Sequence, residues 1–182
     1  MKLVVCDGSV LIDLERGILL QATFQLPFTF AVPDLLYSRE LRPHNGSALI
    51  AMGLQVMMLP GSGLSLAQGY RVRQPRLSLP DALALALAKE GGDVLLTGVA
   101  ATHTTGSHTL LSGDAALREL ARIEKVECRG IFWVFDEIES QGILTASELE
   151  IALSSITAHP RCRLPKAEIL ARQVRYRHGR GR

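Results

Sequence analysis

Short apolar, β-branched runs alternate with helix-like segments along the first part of the chain. KLVVC at 2–6 leads into a helical stretch through about Leu20; FTFAV at 28–32 precedes a helix opening at Pro33; LQVMML follows at 54–59. Strands separated by helices predict an α/β fold built on a parallel sheet, here an α/β/α sandwich. The alternation continues with LPDALALALAKE at 79–90, a buried strand DVLLT at 93–97, a helix from Asp114 (DAALRELARIE) and a short strand VEC at 126–128. Leu83, Leu85 and Leu87 alternate with alanines, so that helix is apolar on every side and belongs in a core. IFWVFDEIE predicts a helix from about Gly130 to Ser140, stopped by Gly142, with Phe132, Trp133 and Phe135 packing inward rather than stacking on bases. Thr145 and Glu148 form a capping-box pattern that opens a further helix. The chain then reads as helical up to RYRHGRGR, which is expected to fray.

One irregularity interrupts the pattern. Residues 95–98 read LLTG and residues 110–113 read LLSG, separated by the polar segment VAATHTTGSHT. Either the second copy follows an inserted loop, or the second copy is the strand end of the fold and the first has been displaced. His103 and His108 lie in this segment among Thr, Gly and Ser, a composition that suits a solvated connector better than a ligand set, although a lid is the alternative.

With 47% hydrophobic and 21% charged residues, the 182-residue chain matches a compact domain with an appendage and excludes disorder and coiled coil. The divisions expected are 1–141 as the main domain, with a polar insertion at about 98–112, and 142–182 as a helical extension with a basic tail. The net charge of +2 demands no nucleic-acid or membrane partner, but it is unevenly spread. Beyond Pro160 there are 8 basic residues and one acid, Glu168, while the remaining 12 basic and 17 acidic residues leave 1–160 at −5. That tail is a candidate phosphate-binding segment. Three cysteines without C-x-x-C spacing argue against a disulfide framework or zinc ribbon and predict a reducing, cytoplasmic setting. No signal peptide is expected at the start, and the longest apolar run, 48–59, falls short of the ~18 residues of a membrane span.

Four acids have routes to one edge of such a sheet. Asp7 ends the first strand, Asp114 follows LLSG, Asp81 lies in the first turn of its helix, and Glu40 lies on the helix begun by Pro33. In an open parallel sheet the carboxyl ends of strands gather ligands where the strand order reverses. Each acid also has a purely structural reading: Ser78-Leu79-Pro80-Asp81 is a capping pattern, Asp114 an N-cap, Asp7-Gly8-Ser9 a turn, and Glu40 a solvated helix residue.

Taken together, VVCDGSVLIDL, FAVPDLLYSREL, LSLPDALALALA and LLSGDAALRELA resemble the PIN-domain family over about residues 2–140. The resemblance implies a metal-dependent ribonuclease, often the toxin of a toxin–antitoxin pair. It places Asp7, Glu40, Asp81 and Asp114 on the acidic metal site, with Asp34 the alternative to Glu40, and Ser9 as the hydroxyl beside the first acid. Hard carboxylate oxygens suit Mg²⁺ or Mn²⁺, which can activate water toward a phosphodiester and relieve the repulsion among the acids. Asp7, Asp81 and Asp114 are the expected ligands, with Glu40 as ligand or water-orienting base. RNA is the implied substrate, a homodimer the implied state, and an antitoxin would offer the acidic cleft a basic side chain.

This chain departs from the family pattern in that Val99 stands directly after LLTG, where the fourth acid is expected, and that acid comes fifteen residues later, at Asp114. If LLSG substitutes for LLTG, the acid is restored; if not, the metal site is depleted and the fold serves as a non-catalytic RNA- or protein-binding module. A third reading, the D-x-D-G-T opening of haloacid-dehalogenase-type phosphatases, fails because Val5 occupies the nucleophile position.

Overall fold

The computed structural model describes residues 2–94, 103–105 and 108–179, without the side chains of Val94 and residues 103–105. Seven strands form one sheet in the order β5-β4-β3-β2-β1-β6-β7. They are β1 Lys2–Cys6, β2 Phe28–Pro33, β3 Gln55–Met58, β4 Gly91–Val94, β5 His103–Thr105, β6 Thr109–Leu111 and β7 Cys128–Arg129. The pairs β1–β2, β2–β3, β1–β6 and β6–β7 are parallel. β4 runs antiparallel to β3 and β5 antiparallel to β4. The sheet is therefore parallel in its body, as the alternation of runs predicts, with an antiparallel pair added at one edge.

That pair resolves the LLTG/LLSG duplication. Residues 95–98 lie outside the described residues, but Gly91–Val94 ahead of them pairs on the far side of β3. The second copy supplies β6, whose Thr109, Leu110 and Leu111 are all buried beside β1. LLSG is thus the strand end that delivers Asp114. The segment expected as an insertion contributes the core strand β6 and the edge strand β5, and its intervening residues 98–102 and 106–107 lie outside the described set. Pairing within β5 uses threonines, residues whose branched side chains suit an extended backbone.

The helices are α1 Gly8–Arg16, α2 Leu20–Thr23, α3 Asp34–Leu36, α4 Gly46–Met52, α5 Gly61–Arg73, α6 Leu79–Glu90, α7 Ala115–Ile123, α8 Ile131–Ser140, α9 Ala146–Thr157 and α10 Lys166–Gly179. Two compact units result: residues 1–10 with 27–130, and residues 11–26 with 131–182. α8 falls in the second unit, with residues 11–26 and the helices that follow it.

In the first unit, α6 buries Pro80 and every residue from Ala82 to Ala88, as its unbroken Ala/Leu composition requires. Its core partners include Leu3 and Val5 of β1, Ala31, Met57 and Leu110 of the neighbouring strands, and Tyr70 and Leu117 of α5 and α7. Glu124 receives Arg73 at 2.7 Å and also binds Lys89 and the Tyr70 hydroxyl. β7 starts at Cys128 rather than Val126, whose side chain is buried in the core.

In the second unit, Phe135 is fully buried, in keeping with the helical spacing of the aromatic cluster. The Thr145–Glu148 capping box opens α9 as its sequence specifies. Arg172 binds Asp136 at 2.7 Å and Glu168 at 2.5 Å, with its guanidinium 4.3 Å over the Phe132 ring. Arg175 pairs with Asp136 and Glu139, and Arg177 with Glu150. Three cations of the basic C-terminal segment are therefore spent on carboxylates of their own unit. Among the described residues, no helix is long and apolar enough to cross a membrane.

Candidate carboxylate site

The chain leaves β1 for β2 and β3 on one side and returns to β6 and β7 on the other, so the strand order switches between β1 and β6. Such a switch point opens a crevice at the carboxyl ends of the two strands. Cys6 is in register with Leu111, and the next residue, Asp7, donates its backbone N–H to Leu111 O at 3.1 Å. Asp7 is therefore fixed at the crevice by the sheet ladder itself.

Its side chain is 1% exposed, and both carboxylate oxygens are engaged. Oδ1 accepts from Ser9 Oγ and from Val10 N, each at 2.9 Å. Oδ2 accepts from the Ser112 hydroxyl, which in turn accepts from the Asp114 backbone N–H at 3.0 Å. Burial pushes the Asp7 carboxyl up to about 6. Hydrogen bonds from Ser112, Val10 and Ser9 pull in the opposite direction, and the negative charge of Asp81 adds to the rise. Desolvation wins over three hydrogen bonds because an ionised oxygen loses more by leaving water than neutral donors return.

Asp81 enters from the first turn of α6. Ser78 caps that helix, accepting from Asp81 N at 3.2 Å and donating to Asp81 Oδ2 at 2.6 Å. Burial raises the Asp81 pKa, the Ser78 hydrogen bonds lower it, and the charge of Asp114 raises it again. Asp114 is the N-cap of α7, with Oδ1 accepting from Leu117 N at 2.8 Å. Three of the acids thus stand at helix N-termini, where unpaired N–H groups and the helix dipole favour negative charge.

Glu40 arrives differently. After α3 the backbone winds as a π-helical turn over Tyr37–Leu41, closed by Arg42 N donating to Tyr37 O at 2.8 Å. Such turns re-aim side chains and recur at functional sites. Glu40 Oε2 lies so close to Gly8 that a Cβ there would collide with it. Burial raises the Glu40 pKa, and Asp81 raises it further. Glu40, rather than Asp34 at the start of α3, is therefore the acid of that segment that reaches the cluster. Asp81 is the hub: its charge acts on both Asp7 and Glu40, and Asp114 acts on Asp81.

Each structural reading from the sequence holds alongside this convergence. Asp114 does cap a helix and Ser78 does cap the helix of Asp81, yet the charge of Asp114 reaches Asp81. Ser112 escaped sequence reasoning. Its signal was the serine two residues before Asp114, the mirror of Ser9 two residues after Asp7. His108 is half-buried with its N–H on Ala88 O at 2.6 Å, and burial lowers its pKa. The His103 side chain lies outside the described residues.

None of the described ion pairs involves Asp7, Glu40, Asp81 or Asp114. Asp81 acts electrostatically on Asp7 and Glu40, and Asp114 on Asp81, and among the described residues none of the four has a cationic partner; a divalent ion, for which carboxylate oxygens are hard ligands, would relieve that repulsion. Among the described residues no three acid, His or Cys side chains stand together as a ready-made cage. The set fits an ion of the Mg²⁺ kind, which is held by one or two carboxylates and keeps several waters.

No curated protein matches the chain. A family model described as a PIN domain, DUF3368, matches residues 3–175. The chain accordingly belongs to the PIN-domain family, whose members are generally nucleases that act on RNA and usually use divalent metal ions.

Proposed function

We propose that the protein is a Mg²⁺- or Mn²⁺-dependent endoribonuclease acting through Asp7, Glu40, Asp81 and Asp114. The observation that carries this reading is the hydrogen-bond chain Asp7–Ser112–Asp114 at the β1/β6 switch point, with the charge of Asp81 acting on Asp7 and Glu40 and no Lys or Arg paired to any of the four acids among the described residues. When bound, a divalent ion supplies Lewis acidity and charge neutralisation for attack of water on a phosphodiester. Asp7, Asp81 and Asp114 would hold it, directly or through water.

The protein's own groups have distinct tasks in this scheme. Ser9, Val10 N and Ser112 orient the Asp7 carboxylate from three directions, so it does not reorganise when substrate enters. Glu40 is exposed, and burial of its carboxyl together with the charge of Asp81 raises its pKa, which suits it to orient water and accept its proton at Oε2 or Oε1. Asp81, held by Ser78, keeps the spacing between the others.

A toxin role with a cognate antitoxin belongs to the same proposal, since the exposed carboxylates of Glu40 and Asp114 are docking places for a bidentate guanidinium. So do a homodimeric state and a cytoplasmic setting, the latter supported by three free cysteines. The rival reading, a non-catalytic binding module, draws on the lack of a three-residue cage among the described residues.

The decisive experiment incubates structured and single-stranded RNAs with Mn²⁺ or Mg²⁺ and compares the protein with an identically purified Asp7→Asn variant. Metal-dependent cutting that vanishes in the variant is expected. No cutting of any RNA, with no metal binding by calorimetry, would overturn the proposal in favour of the binding module.

A further inference from the structure

An acid cluster repels the phosphodiester it is meant to cut, so affinity for the strand has to come from cations beside it. In the basic C-terminal segment, Arg172, Arg175 and Arg177 are committed to carboxylates of their own unit. Around the strand ends of the first unit, Arg129 and Lys2 are likewise committed to Glu127.

Arg118 is different. It lies one helical turn after Asp114 on α7, is exposed, and has no carboxylate partner among the described residues. Its Nη1 donates to Ser112 O at 3.3 Å, the carbonyl of the same residue whose hydroxyl binds Asp7. A Cβ on Gly130 would stand 2.9 Å from Nη1, so the absence of a side chain there leaves room for the guanidinium. Ser112 and Gly130 directly follow β6 and β7, which puts the Arg118 head on the strand-end edge that also carries Asp7. A guanidinium has five donors, and this one spends one on a neutral carbonyl. The rest suit the paired oxygens of a phosphate, and the anchor lowers the entropy cost of holding them in place.

We propose that Arg118, seated against Ser112 O in the space left by Gly130, is the phosphate-binding position that holds an RNA strand beside the carboxylate cluster. The inference rests on the ribonuclease reading above, and it names Arg118 as a substrate-positioning residue for it.

The test measures binding of a labelled single-stranded RNA to the full chain by fluorescence anisotropy with Ca²⁺ in place of the catalytic ion, from 0.1 to 1 M salt. Arg118→Ala should flatten the slope of log K against log salt by about 0.7, one phosphate contact on a single strand, and weaken binding about fivefold at 0.1 M salt relative to 1 M. Arg118→Lys should keep most of the slope, and Arg177→Ala all of it. Gly130→Ala displaces only the far end of a flexible side chain, so it should flatten the slope while circular dichroism and melting stay unchanged. It keeps the proposal testable even if Arg118→Ala unfolds. An unchanged slope in Arg118→Ala or Gly130→Ala, with the unsubstituted protein binding normally, would overturn the proposal while leaving the ribonuclease reading intact. Failure of the unsubstituted protein both to bind and to cut RNA would overturn that reading, and this proposal with it.

Discussion

Asp7→Asn should make the metal-free protein more stable while abolishing its activity. The Asp7 carboxyl stands at about 6 in the folded chain against an ordinary 3.8, chiefly because it is buried. At 1.36 kcal/mol per pH unit, ionising it in the folded state costs about 3 kcal/mol. A folded pKa above the unfolded one means that this stability is fully present below about 3.8 and is lost as the pH rises through about 6. Asparagine has the same shape and no charge. Its oxygen can keep the bonds from Ser9 and Val10, but its amide faces the Ser112 hydroxyl, whose hydrogen must then find another acceptor, at a cost of about 1 kcal/mol. The net gain at pH 8 is about 2 kcal/mol, or about 4–8 °C in Tm for a chain of this length. Scanning calorimetry in chelator should show this gap at pH 8 and its closure by pH 4. Excess Mn²⁺ should reverse it, since an ion at a hundred times its Kd stabilises the unsubstituted protein by about 2.7 kcal/mol and leaves the variant unchanged. A variant no more stable than the parent at pH 8 in chelator, or a gap that does not vary with pH, would refute the argument that an uncompensated buried carboxylate waits for a cation.

Ser112→Ala removes the donor to Asp7 Oδ2 and the acceptor of Asp114 N together; a loss of about 1–3 kcal/mol in denaturant titration and an upward shift of the acidic limb of the pH–rate profile are expected. Gly8→Ala puts a methyl where Glu40 Oε2 lies, so cleavage should fall by up to about a hundredfold while Tm changes little, because the displaced group is the end of an exposed side chain. Glu127 is held at about 2 by Lys2, Arg129 and Thr109, a lowered pKa whose stabilisation is present above about 4.5 and is lost as the pH falls toward about 2; Glu127→Gln should flatten the acid end of the stability curve over that window.

The amino-acid sequence alone determined the class of fold and offered the acids as candidates. Apolar runs of strand length separated by helical periods can satisfy their backbone and bury their faces only as a sheet with crossover helices, so β1, β2, β3 and α6 were legible at nearly their observed boundaries. Caps were legible too, because a serine or threonine three residues ahead of an acid acts locally, as Ser78 and Thr145 do. What needed the tertiary structure was everything set by pairing across the chain. Two near-identical segments, LLTG and LLSG, carry the same local signal, and only the β1–β6 register decides which one brings an acid to Asp7. Glu40 could be told from Asp34 only by its contact with Gly8, delivered by a π-helical turn that no periodicity announces. Ser112 became part of the site only when two residues 105 apart in sequence were laid side by side. Three arginines of the basic C-terminal segment, Arg172, Arg175 and Arg177, meet Asp136, Glu139 and Glu150, because charge is counted along a chain but neutralised in space.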